Sequence, residues 1–339
     1  MATLVVIQYF QYSYFFTQLG TNDFSKLMDG LSITLDYTLT FLKLLSLWHN
    51  RRIFSDILGA MNDDWNNCST HTCAMMNKAN LAHRCSNVMI ILNSLSTIFY
   101  FIGNYMSHRT ASTDFREFPI QIQFPFDATD SPIFEFIVLG LFLHVWETAV
   151  VIALLNSLIL TLVLHVSGQI DIMCQGLREI SQKSHPSAMR SLIERHQKII
   201  SLSNNIDNFF SFVALIQFIW NTIVICSIGI MIMISLVEGK SGLLIQSIVP
   251  YIAVTLEAFV FCFAGEYLST KSKSISDAAY ETLWYDLSTS ECRILLLIIV
   301  RSQKRLTITA GKVMDLTLEG FTSVMKASAS YMSVLHVMY

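Results

Sequence analysis

From residue 134 to about Gly176 the sequence reads as one apolar helical run without a break. At 1.5 Å per residue this is roughly 60 Å, about twice the hydrocarbon thickness of a bilayer. A helix of that length must tilt or project into water. Its far end, HVSGQIDIMCQGLREISQ, is amphipathic, so projection is expected. The next apolar segment begins early in the same way. SLIERHQKIISLSNNIDNFFSF leads into it from about Ser187. Such a pair is expected of a helical membrane protein with helices extended beyond the lipid.

Composition agrees. Of 339 residues, 53% are hydrophobic and 14% charged, against roughly 25% charged in soluble domains. Hydropathy marks seven segments, at about 2–18, 31–48, 86–106, 134–166, 206–237, 243–268 and 312–337. With the N-terminus inside, the inner connections hold fifteen Lys and Arg and the outer ones four: Lys26, Arg109, Arg116 and Lys240. That bias predicts a cytoplasmic N-terminus and, after seven spans, an extracellular C-terminus. The reverse orientation of a G-protein-coupled receptor is disfavoured. No DRY follows the third segment and no NPxxY lies in the seventh.

The only glycosylation sequon, Asn67-Cys68-Ser69, falls in the first inner loop and is expected to stay bare. The acidic, proline-containing stretch 107–133 is expected to cap the outer face. The first segment starts at residue 4 with no basic stretch before it, which argues against a cleaved signal peptide.

The net charge of −3 points to neither nucleic acid nor a polybasic membrane-surface protein. Cys68, Cys73 and Cys85 lie near His71 and His83, but the spacing fits no zinc-finger pattern, so no metal site is predicted. GxSxG, Walker, HExxH and GxGxxG motifs are absent, so neither enzymatic activity nor a cofactor is predicted.

The last seventy residues are the most informative. Ile294 to Val300 is apolar but too short to span a bilayer, and Arg301, Lys304 and Arg305 close it. In the final segment, helical phase gathers Leu316, Phe321, Val324, Ala327, Tyr331, Val334, Leu335 and Met338 near one side. The other side carries Thr317, Gly320, Ser323, Ser328, Ser330 and Ser333. Small and hydroxylated stripes serve close helix packing or line water, so patterning alone allows a packed helix or a pore helix. Lys326 sits mid-segment and requires a partner or water, and Glu147 and Glu257 are similarly placed functional candidates. Lys43 is expected to snorkel toward the inner surface.

Tyr280 and Trp284 stand ahead of the short basic-capped helix, and Phe321 and the Ser330-Tyr331 pair stand in the last one. This end resembles the C-terminus of insect odorant receptors. SPIFEF, HVSGQIDIM and HQKIISLSNNIDNFFSFVALIQF extend the resemblance over most of the chain. The sister gustatory receptors end in a Tyr followed by a Gln-Phe pair, and here Tyr331 is followed by MSVLHVMY. The short second inner loop, around KSHPSA, resembles a ligand-tuning subunit rather than the family's co-receptor.

The resemblance implies an odorant-gated, non-selective cation-channel subunit for volatile small molecules. It would form a heterotetramer with the co-receptor in the lipid of the plasma membrane of olfactory neurons. It implies transmembrane helices and an outer-half pocket within 1–270, a cytoplasmic anchor region at 271–311 and a pore-lining helix at 312–339. The pocket candidates are Tyr37, Phe41, Phe99, Tyr100, Gly103, Phe134, Trp146 and Tyr251. For any one aromatic alone, core packing or an interfacial belt is the commoner role; as a set they are what a buried apolar pocket needs. Val334, His336 and Val337 are the pore and gate candidates by the same resemblance. The alternatives are a gustatory-type homotetrameric channel and a small-molecule transporter. No internal repeat is visible to support the transporter.

Overall fold

The computed structural model describes residues 2–18, 24–66, 72–110, 118–120, 122, 130–180, 186–239 and 241–338. Side chains at several segment ends, those of 24–29 and 334–338 among them, lie outside the description. The described residues are almost entirely helical. In chain order they form α1 (Ala2–Gln18), α2 (Phe24–His49), α3 (Arg51–Asn66), α4 (Thr72–Thr110), α5 (Ile133–Glu179), α6 (Pro186–Glu238) and α7 (Ser241–Tyr280). A single 3-10 turn (Trp284–Asp286) leads to α8 (Thr289–Ser302). Two short antiparallel strands, β1 (Thr309–Ala310) and β2 (Met314–Asp315), precede α9 (Leu318–Met338).

Among the described residues, four helices are long and apolar enough to cross a membrane, at residues 74–106, 133–179, 188–237 and 242–280. α5 has 47 residues and α6 has 53, so each extends about 70–80 Å and outreaches the hydrocarbon layer, as the sequence predicts. α7 runs unbroken past residue 270, with Pro250 inside it. The boundary expected at 270–271 therefore falls within one rigid helix, because nothing between Gly265 and Tyr280 stops it.

α4, α5 and α7 pack mutually at the centre. α6 joins α2, α7 and α9 to them, α1 lies on α2, and α8 lies on α7. At the end of the bundle that holds α3, α8 and the strands, α5 is enclosed on every side. The nine consecutive residues Leu162 to Ile170 are all buried. This stretch joins one large apolar core with α6, α7, Leu295 and Ile298 of α8, and Ile308. A helix surrounded on all faces must be apolar nearly all round, and any polar group in it must be paired. His165 is paired with Asp64 of α3 at 3.0 Å, and Lys198 reaches the same carboxylate at 2.6 Å. Gln169 accepts a hydrogen bond from Arg195 at 2.9 Å. Burial by itself would raise the Asp64 carboxyl. The hydrogen bonds from His165 and Lys198 outweigh burial and hold its pKa below the ordinary value.

α8 begins with a capping box. The Ser288 hydroxyl accepts the Glu291 backbone N–H, and the Glu291 carboxylate accepts the Ser288 N–H. The hairpin between α8 and α9 replaces the helix start expected at 312. Gly311 and Lys312 both have positive φ, at 63° and 60°, which suits a tight strand reversal but not a helix. Asp207 of α6 accepts the Thr309 N–H at 2.7 Å and pairs with the Lys312 ammonium. Ser211 accepts the Gly311 N–H on its carbonyl at 2.7 Å and the Lys312 N–H on its hydroxyl at 2.9 Å. The start of α9 is thus fastened to α6.

α9 lies against α6 and α7. Its buried side holds Val324 and Ser328, with Phe321 and Met332 partly buried, while Thr322, Ser323, Lys326, Ser330, Tyr331 and Ser333 are exposed. Two residues depart from the phase-based division. Ser328 is fully buried and Tyr331 is 60% exposed. A small residue at 328 lets α9 come close to α6, where Cys226 meets the Ser328 carbonyl. At Gly229 any Cβ would overlap Met332.

Candidate functional site

The half of the bundle away from α8 encloses a cavity of about 140 Å3 between α2, α4, α5, α6 and α7. Its apolar walls include Ile33 and Leu39 of α2, Val145 and Ile152 of α5, Ile228 and Met231 of α6, and Val254 of α7. Ile120, only 2% exposed, closes one side from the segment between α4 and α5. That segment is held in place by the Tyr100 hydroxyl, which donates to the Pro119 carbonyl at 3.0 Å. Asn104 donates to the same carbonyl at 3.4 Å. Phe118 packs on Phe134, ring centroids 5.1 Å apart.

Of the candidates drawn from the sequence, Tyr37 and Tyr100 line this cavity. Tyr37 is 3% exposed and stacks on His144 with centroids 5.5 Å apart. Phe41, Phe99, Phe134, Trp146 and Tyr251 are not among the walls. Phe99 is 38% and Trp146 44% exposed on the bundle surface. Phe134 braces the capping segment, and Tyr251 packs against Val224, Ile225, Ile228, Val254 and Val324. Gly103 is where α4 and α7 touch. A Cβ there would sit 2.5 Å from the Gln246 backbone nitrogen. It shapes the site by letting two walls meet rather than by facing it.

Sequence reasoning missed the polar part of the lining. Asp36, Asn93, Ser96, Thr97, Thr148, Gln246 and Ser247 all face the cavity. Periodicity could have found Asp36, which is one turn before Thr40 and two before Lys43 on α2. Lys43 does not snorkel. It is 4% exposed, donates to Glu257 at 3.0 Å and Asn156 at 2.7 Å, and lies 5.7 Å from the Phe261 ring centroid. The Asn156 amide also donates to Glu257. A charge that far from either surface is retained only with an opposite charge and hydrogen bonds, which α5 and α7 provide. Glu257 is thereby satisfied by Lys43 and Asn156. Glu147 is on the exposed side of α5.

The cavity and α9 share a wall. Ile228 and Val254 line the cavity on one side and pack with Val324 of α9 on the other. One layer of side chains thus separates the cavity from α9.

A family model described as 7tm Odorant receptor matches residues 23–329. The chain belongs to the seven-transmembrane odorant receptor family. This odorant receptor family member is 26% identical over 230 residues to Putative odorant receptor 92a of Drosophila melanogaster, covering 66% of this chain and 55% of that protein. It is 27% identical over 236 residues to Odorant receptor 67c of the same species, covering 66% and 56%. To the Odorant receptor coreceptor of Harpegnathos saltator it is 28% identical over 161 residues, 47% of this chain and 33% of that one. The chain thus spans about half the length of these Drosophila relatives.

Its fold matches the olfactory receptor OR5 from Machilis hrabei, solved in complex with eugenol, with a TM-score of 0.80 at 15% identity. The match covers 100% of this chain and 88% of that one. The all-helical membrane architecture is therefore that of an insect odorant receptor.

Several expected sites lie outside the described residues: the sequon at Asn67, Cys68 and His71, most of 107–129, and the side chains of Cys73, Val334, His336 and Val337. The α9 backbone continues through these last three positions to Met338. Cys85 is described and is not in a disulfide.

Proposed function

We propose that this chain is the ligand-tuning subunit of an odorant-gated, non-selective cation channel. It acts in the plasma membrane of olfactory neurons as a heterotetramer with a co-receptor. The observation that carries this reading is the wall shared by the cavity and α9 at Ile228, Val254 and Val324. A volatile molecule enters the cavity, and tighter binding to the open arrangement shifts α9 toward it. Ligands with few polar atoms are held by shape and dispersion, which the apolar walls supply.

The N-terminus is cytoplasmic, the cavity lies in the outer half, and α8 belongs to a cytoplasmic anchor. The gate is the outer part of α9, where Val334 and Val337 form an apolar ring with His336 at its mouth. Such a ring closes by dewetting and conducts when it widens. The exposed polar side of α9, with Ser323, Lys326, Ser330 and Ser333, supports the pore-facing role. In OR5 of Machilis hrabei the same fold accompanies a bound eugenol, which supports small volatile organic ligands here. Lys326, exposed and unpaired among the described residues, would stand four times at the axis of a homotetramer; a partner lacking it dilutes that charge.

The test is a current recording in cells without endogenous insect receptors. The chain alone is expected to give little odorant-evoked current, and the chain with co-receptor a clear cation current. Robust currents from the chain alone at equal surface expression would replace the heteromer with a homotetramer. No current in either arrangement, with both chains at the surface, would remove the channel assignment.

A further inference from the structure

The walls of the cavity hold two carboxyl groups, Asp36 and Glu257. Lys43, the one cation acting on Asp36, is already engaged at 3.0 Å with Glu257 and at 2.7 Å with Asn156. Among the described residues nothing donates a hydrogen bond or forms an ion pair with the Asp36 side chain. The neighbouring residue adds a second vacancy. The Tyr37 hydroxyl is buried against the cavity with Thr148 beside it, and because Thr148 gives its proton to the His144 carbonyl at 2.8 Å, no group among the described residues donates to the Tyr37 oxygen. Tyr37 is 3% exposed, so its unmet hydrogen bond is not satisfied by bulk water. A half-buried carboxyl that no side chain pairs, next to a buried phenol oxygen that receives no hydrogen bond, is costly unless something that enters the cavity completes them.

We propose that the cavity is built for a small basic amine, with the ligand ammonium docked on Asp36 and its hydrocarbon part on Ile33, Val145 and Ile152. This rests on the reading of the cavity as the odorant site and narrows the ligand class. The charge count favours an amine over an alcohol or ketone. Lys43 neutralises Glu257, and the remaining carboxyl has room for one cation in front of it. An ammonium offers several donors in a compact head, enough for a charge-assisted bond to Asp36 and a second to the Tyr37 oxygen. The rings of Tyr37 and Tyr100 in the lining add attraction for a cation. Neutral molecules of the same shape would gain the apolar contacts and leave Asp36 unmatched.

The experiment compares a primary amine with the alcohol and the methyl-terminated alkane of the same skeleton. The full chain is tested with co-receptor by current recording, and the purified full chain by ligand-dependent thermal stabilisation in detergent. The amine is expected to act at concentrations about tenfold or more below the alcohol, a difference of one charge-assisted hydrogen bond. Asp36→Asn is expected to abolish that advantage, Asp36→Glu to retain it, and Tyr37→Phe to reduce it. Equal potency of amine and alcohol in the parent, or an advantage that survives Asp36→Asn, overturns the proposal.

Should Asp36→Asn fail to reach the membrane, the ranking in the parent and the Tyr37→Phe variant still decide. Amine-selective stabilisation without current would preserve the ligand class and remove the channel reading. Currents driven by neutral odorants with no response to amines would do the reverse.

Discussion

Leu162 to Ile170 of α5 is buried on every side and its polar groups are paired. About three turns earlier, Val145 to Ile152 of the same helix turns one face to the cavity, with unpaired polar groups around it. The same helix therefore serves two purposes along its length. In the closed half, His165, Gln169 and Asp171 each meet a partner from another helix, with Lys271 reaching Asp171 at 2.6 Å. In the open half, among the described residues, the Tyr37 hydroxyl and the His144 Nε2 are buried without a hydrogen-bond partner, and no side chain pairs with Asp36. The closed half supplies the packing free energy that lets the other half keep a void, since an empty site contributes nothing to stability until a ligand fills it.

Cavity-forming substitutions in the two halves give the sharpest contrast. Ile170→Ala in the enclosed stretch is expected to cost about 2–5 kcal/mol, seen as a large fall in detergent melting temperature or loss of surface expression. Ile152→Ala at the cavity wall is expected to cost only about 1–2 kcal/mol, because the space beside it is already empty. Equal losses would erase the distinction between the halves.

Next in size, Tyr100→Ala removes an aromatic wall and the bond that holds Pro119. Ligand potency should shift about 5- to 150-fold, from 1–3 kcal/mol, with surface expression maintained. An unchanged response across a broad odorant panel would take Tyr100 out of the site.

A smaller effect is expected from pH in the closed half. The Asp64 pKa is lowered in the folded chain, so its ion pairs stabilise the protein above the ordinary carboxylate value of about 4 and that contribution is lost as pH falls through the lowered value. Between neutral pH and about pH 3, the parent should lose about 1 kcal/mol more stability than Asp64→Asn, measured by thermal melting. A parallel loss in both would mean that Asp64 carries no such linkage. The smallest effect is expected at Trp146, exposed on the bundle surface. Trp146→Ala should leave potency within about twofold. A larger shift would extend the binding site to that face of α5.

Much of this architecture was legible in the chain. Uninterrupted apolar runs made the long α5 and α6 readable, with the α6 start found within a residue of Ser187. The basic clusters and the short run at 294–300 located α8. The family could be recognised because its motifs are local strings whose order survives divergence.

Other features depend on which residues meet across helices. Lys43 reads as a snorkelling residue until α5 and α7 bring Asn156 and Glu257 to it, more than a hundred residues away. Phe99 and Trp146 read like Tyr37 and Tyr100. Helical phase separates them only once the neighbours of each helix are known. The hairpin before α9 is specified by two residues at positive φ and by Asp207 and Ser211 on a distant helix, so hydropathy runs through it without a mark.

The sequence by itself determined that this is a helical membrane protein with helices longer than the lipid, and it determined the family, because length, apolar content and local motifs are properties of contiguous residues. Only the tertiary structure decided which aromatics enclose a cavity, that Asp36 faces it without a partner while Lys43 does not, and that the cavity shares a wall with α9. Those depend on side-chain pairings between distant segments, which one-dimensional periodicity does not encode.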